Sequence, residues 1–291
     1  MTLLTYQVFQ TAANIGSFHK AADILGLTPS AISHTISSME KELGFSVLTR
    51  SKTGITLTNY GEHLLPYVNA VLNSEESLRQ AVAELNGLKR GKVKIAVFSS
   101  VCTNWLPDIL HSFEKLYAEI TMEVFQGTYD DVYDWIKNGT ADLGFLSVSS
   151  AKDIPIEPLY KDPLLCVLAK NSRKDSSKPY MDIAEMRGHQ FVTQRESTDA
   201  DIQNFLKENA LQIQSNYHVV DDLSTVALVE KGFGICLMPE LVMRDIPYEV
   251  ECYPVYPKTC RIIGIAALHP ESMAPAVRMF YNHILENYKW I

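Results

Sequence analysis

Residues 17 to 44 of this chain read SFHKAADILGLTPSAISHTISSMEKELG. Ser17 is a good N-cap for a short helix through Leu25, and Ala21 and Ala22 are small enough for close packing. Gly26 turns the chain. Thr28 then caps a second helix, with Pro29 at its first position, where the missing N–H costs nothing. Two helices joined by a tight glycine-containing turn predict a helix-turn-helix. Upstream, Leu4, Val8, Ala12 and Ile15 recur at helical spacing, and Gly16 ends that helix.

The helix after Thr28 separates into two faces at about 100° per residue. Ile32, Ile36, Met39 and Leu43 form one narrow stripe and are expected in the core. The opposite face carries Ser30, Ser33, His34, Ser37 and Lys41. Most of these are short hydrogen-bonding side chains suited to base edges and phosphates, although the same pattern also fits a merely solvated face. Gly44 ends the helix, and the segments Phe45 to Leu48 and Gly54 to Thr58 flank a polar tip that holds Arg50 and Lys52. That pattern predicts a β-hairpin wing lying against a DNA backbone. The expected DNA contacts are Thr28, Pro29, Ser30, Ser33, His34, Ser37, Arg50 and Lys52.

From Asn59 to about Leu88 runs one long helical pattern. Leu64, Val68, Val71, Leu78, Val82 and Leu85 fit alternating d and a positions of a heptad. A helix of that length would run to roughly 45 Å, so it is expected to serve dimerisation, with Pro66 kinking it. An ordinary amphipathic core helix is the competing reading.

Charge bounds the partners. The chain carries a formal −8, yet residues 1–58 hold four Lys/Arg against three Asp/Glu, so the acidity lies in the C-terminal part. No apolar run reaches the roughly 18 residues needed to span a bilayer, and the opening MTLLTYQVFQTAAN lacks the features of a signal peptide. A cytoplasmic protein without a membrane association is expected. Cys102, Cys166, Cys236, Cys252 and Cys260 have no CxxC spacing, which argues for thiols and against a zinc site. Cys252 and Cys260 leave a redox switch open as a second possibility. His63, His111, His189 and His218 lack metal-ligand spacing, and no HExxH, GxSxG or P-loop marks an enzyme. Neither a metal nor a cofactor is expected.

The first sixty residues resemble the DNA-binding domain of LysR-type transcriptional regulators. The resemblance rests on Phe9, Gly16-Ser17-Phe18, Ala21-Ala22, Leu25, Thr28-Pro29-Ser30-Ala31-Ile32-Ser33, Ile36, Glu40, Leu43-Gly44, Leu48, Arg50, Leu57-Thr58 and Gly61. Thr49 stands where the family usually has Phe, and His34 where it often has Gln or Arg.

After a short hinge at Leu88 to Gly91, strand and helix patterns alternate, which predicts an α/β domain with a mainly parallel sheet. Strands are expected at Lys92 to Phe98, Glu123 to Gln126 and Leu143 to Ser147, with helices at Thr103 to Tyr117 and Val132 to Lys137. This half also resembles the family, through Trp105-Leu106-Pro107, Gly139-Thr140-Ala141-Asp142-Leu143-Gly144 and Val229-Glu230-Lys231-Gly232-Phe233-Gly234-Ile235. Ala118 stands where proline is common.

The resemblance implies an α+β multidomain chain. It divides into a winged helix-turn-helix (1–58), a linker and dimerisation helix with hinge (59–90), and a two-lobed effector domain like periplasmic binding proteins (91–291). Lobe I is expected at 91–161 and 266–291, and lobe II at 162–265. Ligands in open α/β sheets bind beyond the carboxyl ends of the strands. Those loops carry Ser99, Ser100, Cys102, Thr103, Thr128, Ser147, Gln194 and Arg195, although hydroxyls at helix starts also serve as plain caps. The donors there, with Arg195, favour a small effector bearing a carboxylate. The implied partners are double-stranded DNA, that effector, further copies of the chain as a homodimer or homotetramer, and RNA polymerase.

Overall fold

A computed structural model describes residues 1–51, 54–173, 178–194, 200–213 and 215–290. The chain divides into two units, Met1–Gly91 with Lys137–Thr140, and Lys92–Ile136 with Ala141–Ile291.

The first unit opens with α1 (Leu3–Ile15), α2 (Phe18–Leu25) and α3 (Pro29–Leu43). Local chemistry sets these boundaries. Ser17 Oγ accepts from Lys20 N, Thr28 Oγ1 accepts from Ala31 N, and Gly26 makes the turn at φ 63°. The apolar stripes then close on one another, with Val8, Phe9, Ala21, Ile32, Ile36 and Met39 buried.

The wing is β1 (Leu48–Ser51) paired antiparallel with β2 (Gly54–Leu57), in the register Leu48↔Leu57 to Ser51↔Gly54. Its first strand starts at Leu48 and not at Phe45. Glu40 Oε1 accepts the amides of Val47 and Leu48, at 2.9 and 3.3 Å, so the Val47 amide is turned to α3 and the strand begins one residue later. Next, α4 (Asn59–Leu85) continues through Pro66. Among the described residues, no helix is long and apolar enough to cross a membrane.

The second unit begins with β3 (Gly91–Val97), α5 (Ser99–Asn104), α6 (Leu106–Leu116), β4 (Ile120–Gln126), α7 (Tyr129–Lys137) and β5 (Leu143–Ser147). The single helix expected from Thr103 to Tyr117 is two, divided at Trp105. Pro107 has no N–H to donate, so it fits the first turn of a new helix and not the interior of an old one.

Then follow β6 (Ile156–Ala169), β7 (Met181–Asp182), α8 (Ile183–Met186), β8 (Val192–Gln194), α9 (Ala200–Glu208), β9 (Tyr217–Val219), α10 (Asp222–Glu230) and β10 (Cys236–Pro239). The chain ends with β11 (Val250–Tyr256), β12 (Cys260–Ala266) and α11 (Pro275–Asn287).

The sheet order is β4-β3-β5-β12-β6-β11-β7, with β10 also on β6. This sheet is mixed and not mainly parallel. β3 lies parallel to β5, but β12 is antiparallel to both β5 and β6, and β10 and β11 are antiparallel to β6. The cause is the fourteen-residue β6, which crosses from one lobe to the other, and β12, which returns beside it. Residues 260–266 pair with the first half of β6, and 263–266 pair also with β5. Lobe I buries Val93, Phe113, Phe145, Ile263 and Phe280, and lobe II buries Leu168, Met186, Phe205 and Leu237.

Candidate DNA interface and effector cleft

On α3 the exposed face carries Ser30, His34 and Ser37, with Ser33 half-buried beside them. Thr28 caps the helix and its hydroxyl also meets Ser30 Oγ at 3.0 Å. Arg50, on the wing, is exposed yet held. Its Nη1 donates to Ser33 Oγ at 3.2 Å, and its guanidinium lies 4.7 Å from the centre of the Phe18 ring. Wing and recognition helix are thus joined through one cation. Phe18 had no assigned contact role in the sequence, because nothing local ties it to a residue 32 positions away. Lys52 lies outside the described residues.

The seam expected on α4 divides in two. Val68 is buried and Leu64 half-buried, and both pack with Leu65 and Leu72 on the winged-domain core. Val71, Leu78, Val82 and Leu85 are exposed, by 43%, 65%, 50% and 88%. The heptad reading is therefore corrected at Leu64 and Val68. The first two turns of the stripe serve their own domain, and only the later residues are exposed. Tyr67, 63% exposed, stands four residues before Val71 and extends the open stripe.

In the second unit a cavity of about 280 Å³ is lined by Phe98, Ser99, Ser100, Gln126, Gly127, Thr128, Tyr129, Asp131, Asp221, Asp222 and Arg261, among others. An adjoining hollow of about 310 Å³ shares Ser99, Ser100, Asp221 and Asp222, and adds Thr103, Arg244 and Asp245. Arg261, on the wall of the first cavity, was not foreseen. It is 3% exposed, and it reaches three elements at once. Nε donates to Asp162 Oδ2 at 2.7 Å, Nη1 to the Tyr129 hydroxyl at 2.6 Å, and Nη2 to Ser100 Oγ at 2.7 Å. Asp162 is fully buried, and its Oδ1 accepts the Leu241 amide at 2.9 Å. A buried arginine of this kind has a legible signal only in part: Arg261 interrupts an apolar strand, CRIIGIA.

Several expected effector residues have other employment. Thr103 is inside α5 and not at a helix start, and its hydroxyl donates to Ser99 O. Thr128 caps α7. Its hydroxyl donates to Asp131 Oδ2 at 2.7 Å and accepts the Asp131 amide, so the plain-cap reading holds there. Ser147 is fully buried and donates to Asp201 Oδ2 at 2.6 Å, away from the cavity walls. Cys102 packs on the lobe I core. Ser99, Ser100 and Thr128 line the first cavity, and Thr103 lines the adjoining hollow. Gln194 ends β8, and Arg195 lies outside the described residues.

A Cys252–Cys260 disulfide does not fit the register of this fold. Cys252 faces Val167 and Cys260 faces Pro163 on β6. Four residues along a strand are roughly 13 Å, whereas disulfide-bonded Cα atoms lie within about 7 Å. Burial also pushes the Cys102, Cys166, Cys236 and Cys252 thiols up, which disfavours the thiolate.

Two family profiles match the chain: "Bacterial regulatory helix-turn-helix protein, lysR family" over residues 3–62, and "LysR substrate binding domain" over residues 86–289. The HTH-type transcriptional regulator YvbU of Bacillus subtilis (strain 168) is 23% identical over 96% of both chains. Full-length OxyR C199D from Pseudomonas aeruginosa superposes with a TM-score of 0.76 at 19% identity, covering 98% of this chain and 94% of that one. The effector-binding domain of QuiR in complex with shikimate superposes at 0.60 and 24% identity, over 69% of this chain and 98% of that one. With both profiles matched in order along nearly its whole length, the chain belongs to the LysR family of bacterial helix-turn-helix transcription regulators.

Proposed function

We propose that this LysR-type regulator contacts its operator through Ser30, Ser33, His34, Ser37 and Arg50, and that it pairs with a second copy through Tyr67, Val71, Leu78, Val82 and Leu85. Its promoter binding is modulated by a small effector in the C-terminal domain, as in the family at large. Ser99, Ser100, Tyr129 and Arg261 form the wall that receives it. The observation that carries the DNA reading is the Arg50–Ser33 bond over Phe18, which fixes a cation beside the exposed face of α3. The chain acts as a regulator without catalysis of its own, in the cytoplasm, as a dimer of dimers whose operator geometry RNA polymerase reads.

The polarity of the cleft bears on the finer expectation of a carboxylate-bearing effector. Ser100 keeps a hydroxyl for such a ligand, but the Thr128 hydroxyl is committed to Asp131.

Genomic footprinting of the native protein supplies the operator, and a gel shift on that sequence tests the contacts. Arg50→Ala is expected to weaken binding and to lower the slope of log affinity against log salt by about one. Unchanged affinity at physiological salt, with an intact melt, would refute the assignment.

A further inference from the structure

A second cavity lies in lobe II, with a volume of about 690 Å³ and no wall residue in common with the effector cleft. It opens where α9 ends. Phe205 and Leu206 seat the helix on the lobe II core, and then Ala210 takes a left-handed φ of 46° and returns Leu211 to that core, its amide bonded to Leu206 O at 2.9 Å. The far wall is the strand pair β8–β9, where Thr193 and His218 stand opposite one another in register. Thr193 Oγ1 lies 3.1 Å from His218 Nδ1 and orients that ring. Three kinds of group line the space. Leu206 and Leu211 make an apolar floor, Gln203 and Gln212 bring amides, and Lys207 brings an ammonium. Neither amide has a hydrogen-bond partner among the described residues, and Lys207 has no ion-pair partner among them. No carboxylate is among the described lining residues, so an anion is attracted here. Amide N–H groups beside an ammonium donate to carboxylate oxygens, the floor takes up hydrocarbon, and the volume is that of a pocket for a small molecule.

We propose that this cavity is a second ligand site, for a small organic acid with one carboxylate and an apolar body. Lys207, Gln203 and Gln212 meet the carboxylate, and the hydrocarbon lies on Leu206 and Leu211. The site stands apart from the cleft and does not depend on what the cleft binds. Its place on α9 has a consequence. At the other end of that helix Asp201 accepts from Ser147 of lobe I at 2.6 Å, so the occupant sits on an element that joins the two lobes.

The test is calorimetric titration of the full chain with matched probes at equal ionic strength. Cyclohexanecarboxylate carries acid and apolar body, cyclohexanemethanol the body alone, cyclohexanemethylamine the opposite charge, and acetate the charge alone. Cyclohexanecarboxylate is expected to bind at millimolar concentration or below, and each of the others more weakly by about fivefold or more. Lys207→Ala should weaken the acid by a similar factor, and since Lys207 is exposed its unliganded melt should match the parent's. Lys207→Glu should turn the preference towards the amine. Ser100→Ala, on the cleft, should leave the acid's affinity as it was. Absence of binding by cyclohexanecarboxylate, or binding that neither Lys207 variant alters, overturns the site. Binding lost in Ser100→Ala and kept in Lys207→Ala puts the acid in the cleft and overturns it as well. Acetate as tight as cyclohexanecarboxylate, with the dependence on Lys207 intact, overturns the apolar body.

Discussion

Replacing Asp162 with alanine would leave the Arg261 guanidinium buried, 3% exposed, without its carboxylate. The same substitution strips the Leu241 amide of its acceptor. Removing one partner of a buried ion pair costs about 3–5 kcal/mol, because the remaining charge is uncompensated. For a unit of this size each kcal/mol moves the melting temperature by about 2–4 °C, so the fall should be on the order of 6–20 °C. The assay is chemical denaturation and melting of Asp162→Ala, Arg261→Met, and Asp162→Leu with Arg261→Met together. The double variant should recover much of the loss, since it leaves no unpaired charge. A loss under about 1 kcal/mol for Asp162→Ala, or a double variant as poor as the two singles combined, would refute the role given to this pair.

Leu78→Glu should halve the oligomer mass in light scattering without shifting the melt of the winged domain. Val68→Ala should do the reverse, costing about 2 kcal/mol of stability with the mass unchanged. Gly61→Ala places a Cβ 2.1 Å from the Val47 carbonyl oxygen, so the variant should lose at least about 1–3 kcal/mol in denaturant titration. An unaltered midpoint would show that the wing root moves freely. His283 is buried with Nε2 2.8 Å from Ser112 Oγ, and desolvation lowers its pKa below the ordinary 6.5. The unfolded chain then takes up the proton first, so stability is full above pH 6.5, falls as pH drops below it, and levels off once the folded state is protonated. His283→Gln should flatten that slope in melts between neutral and mildly acid pH.

The sequence by itself determined what depends on near neighbours. Ser17, Thr28-Pro29 and the glycines 16, 26 and 44 bound the helices because caps act within one turn. The stripe Ile32, Ile36 and Met39 is a core face because the 3.6-residue period is local too. Leu143 to Ser147 was legible for a similar reason, as a short apolar strand bounded by polar residues. Only the tertiary structure decided which chain covers an apolar stripe. Val68 and Val71 look alike in a heptad, yet three residues of helix rotation put one on its own wing domain and leave the other exposed. It alone set the direction of the sheet: the resemblance implies two strands crossing between the lobes, but that β12 and β11 run antiparallel to β6 is decided by the pairing itself. The cleft shows the same limit. Arg261 meets Ser100, Tyr129 and Asp162 across 161, 132 and 99 residues. Side chains that far apart in sequence are brought into contact by packing, and no periodicity records which buried cation will find which buried anion.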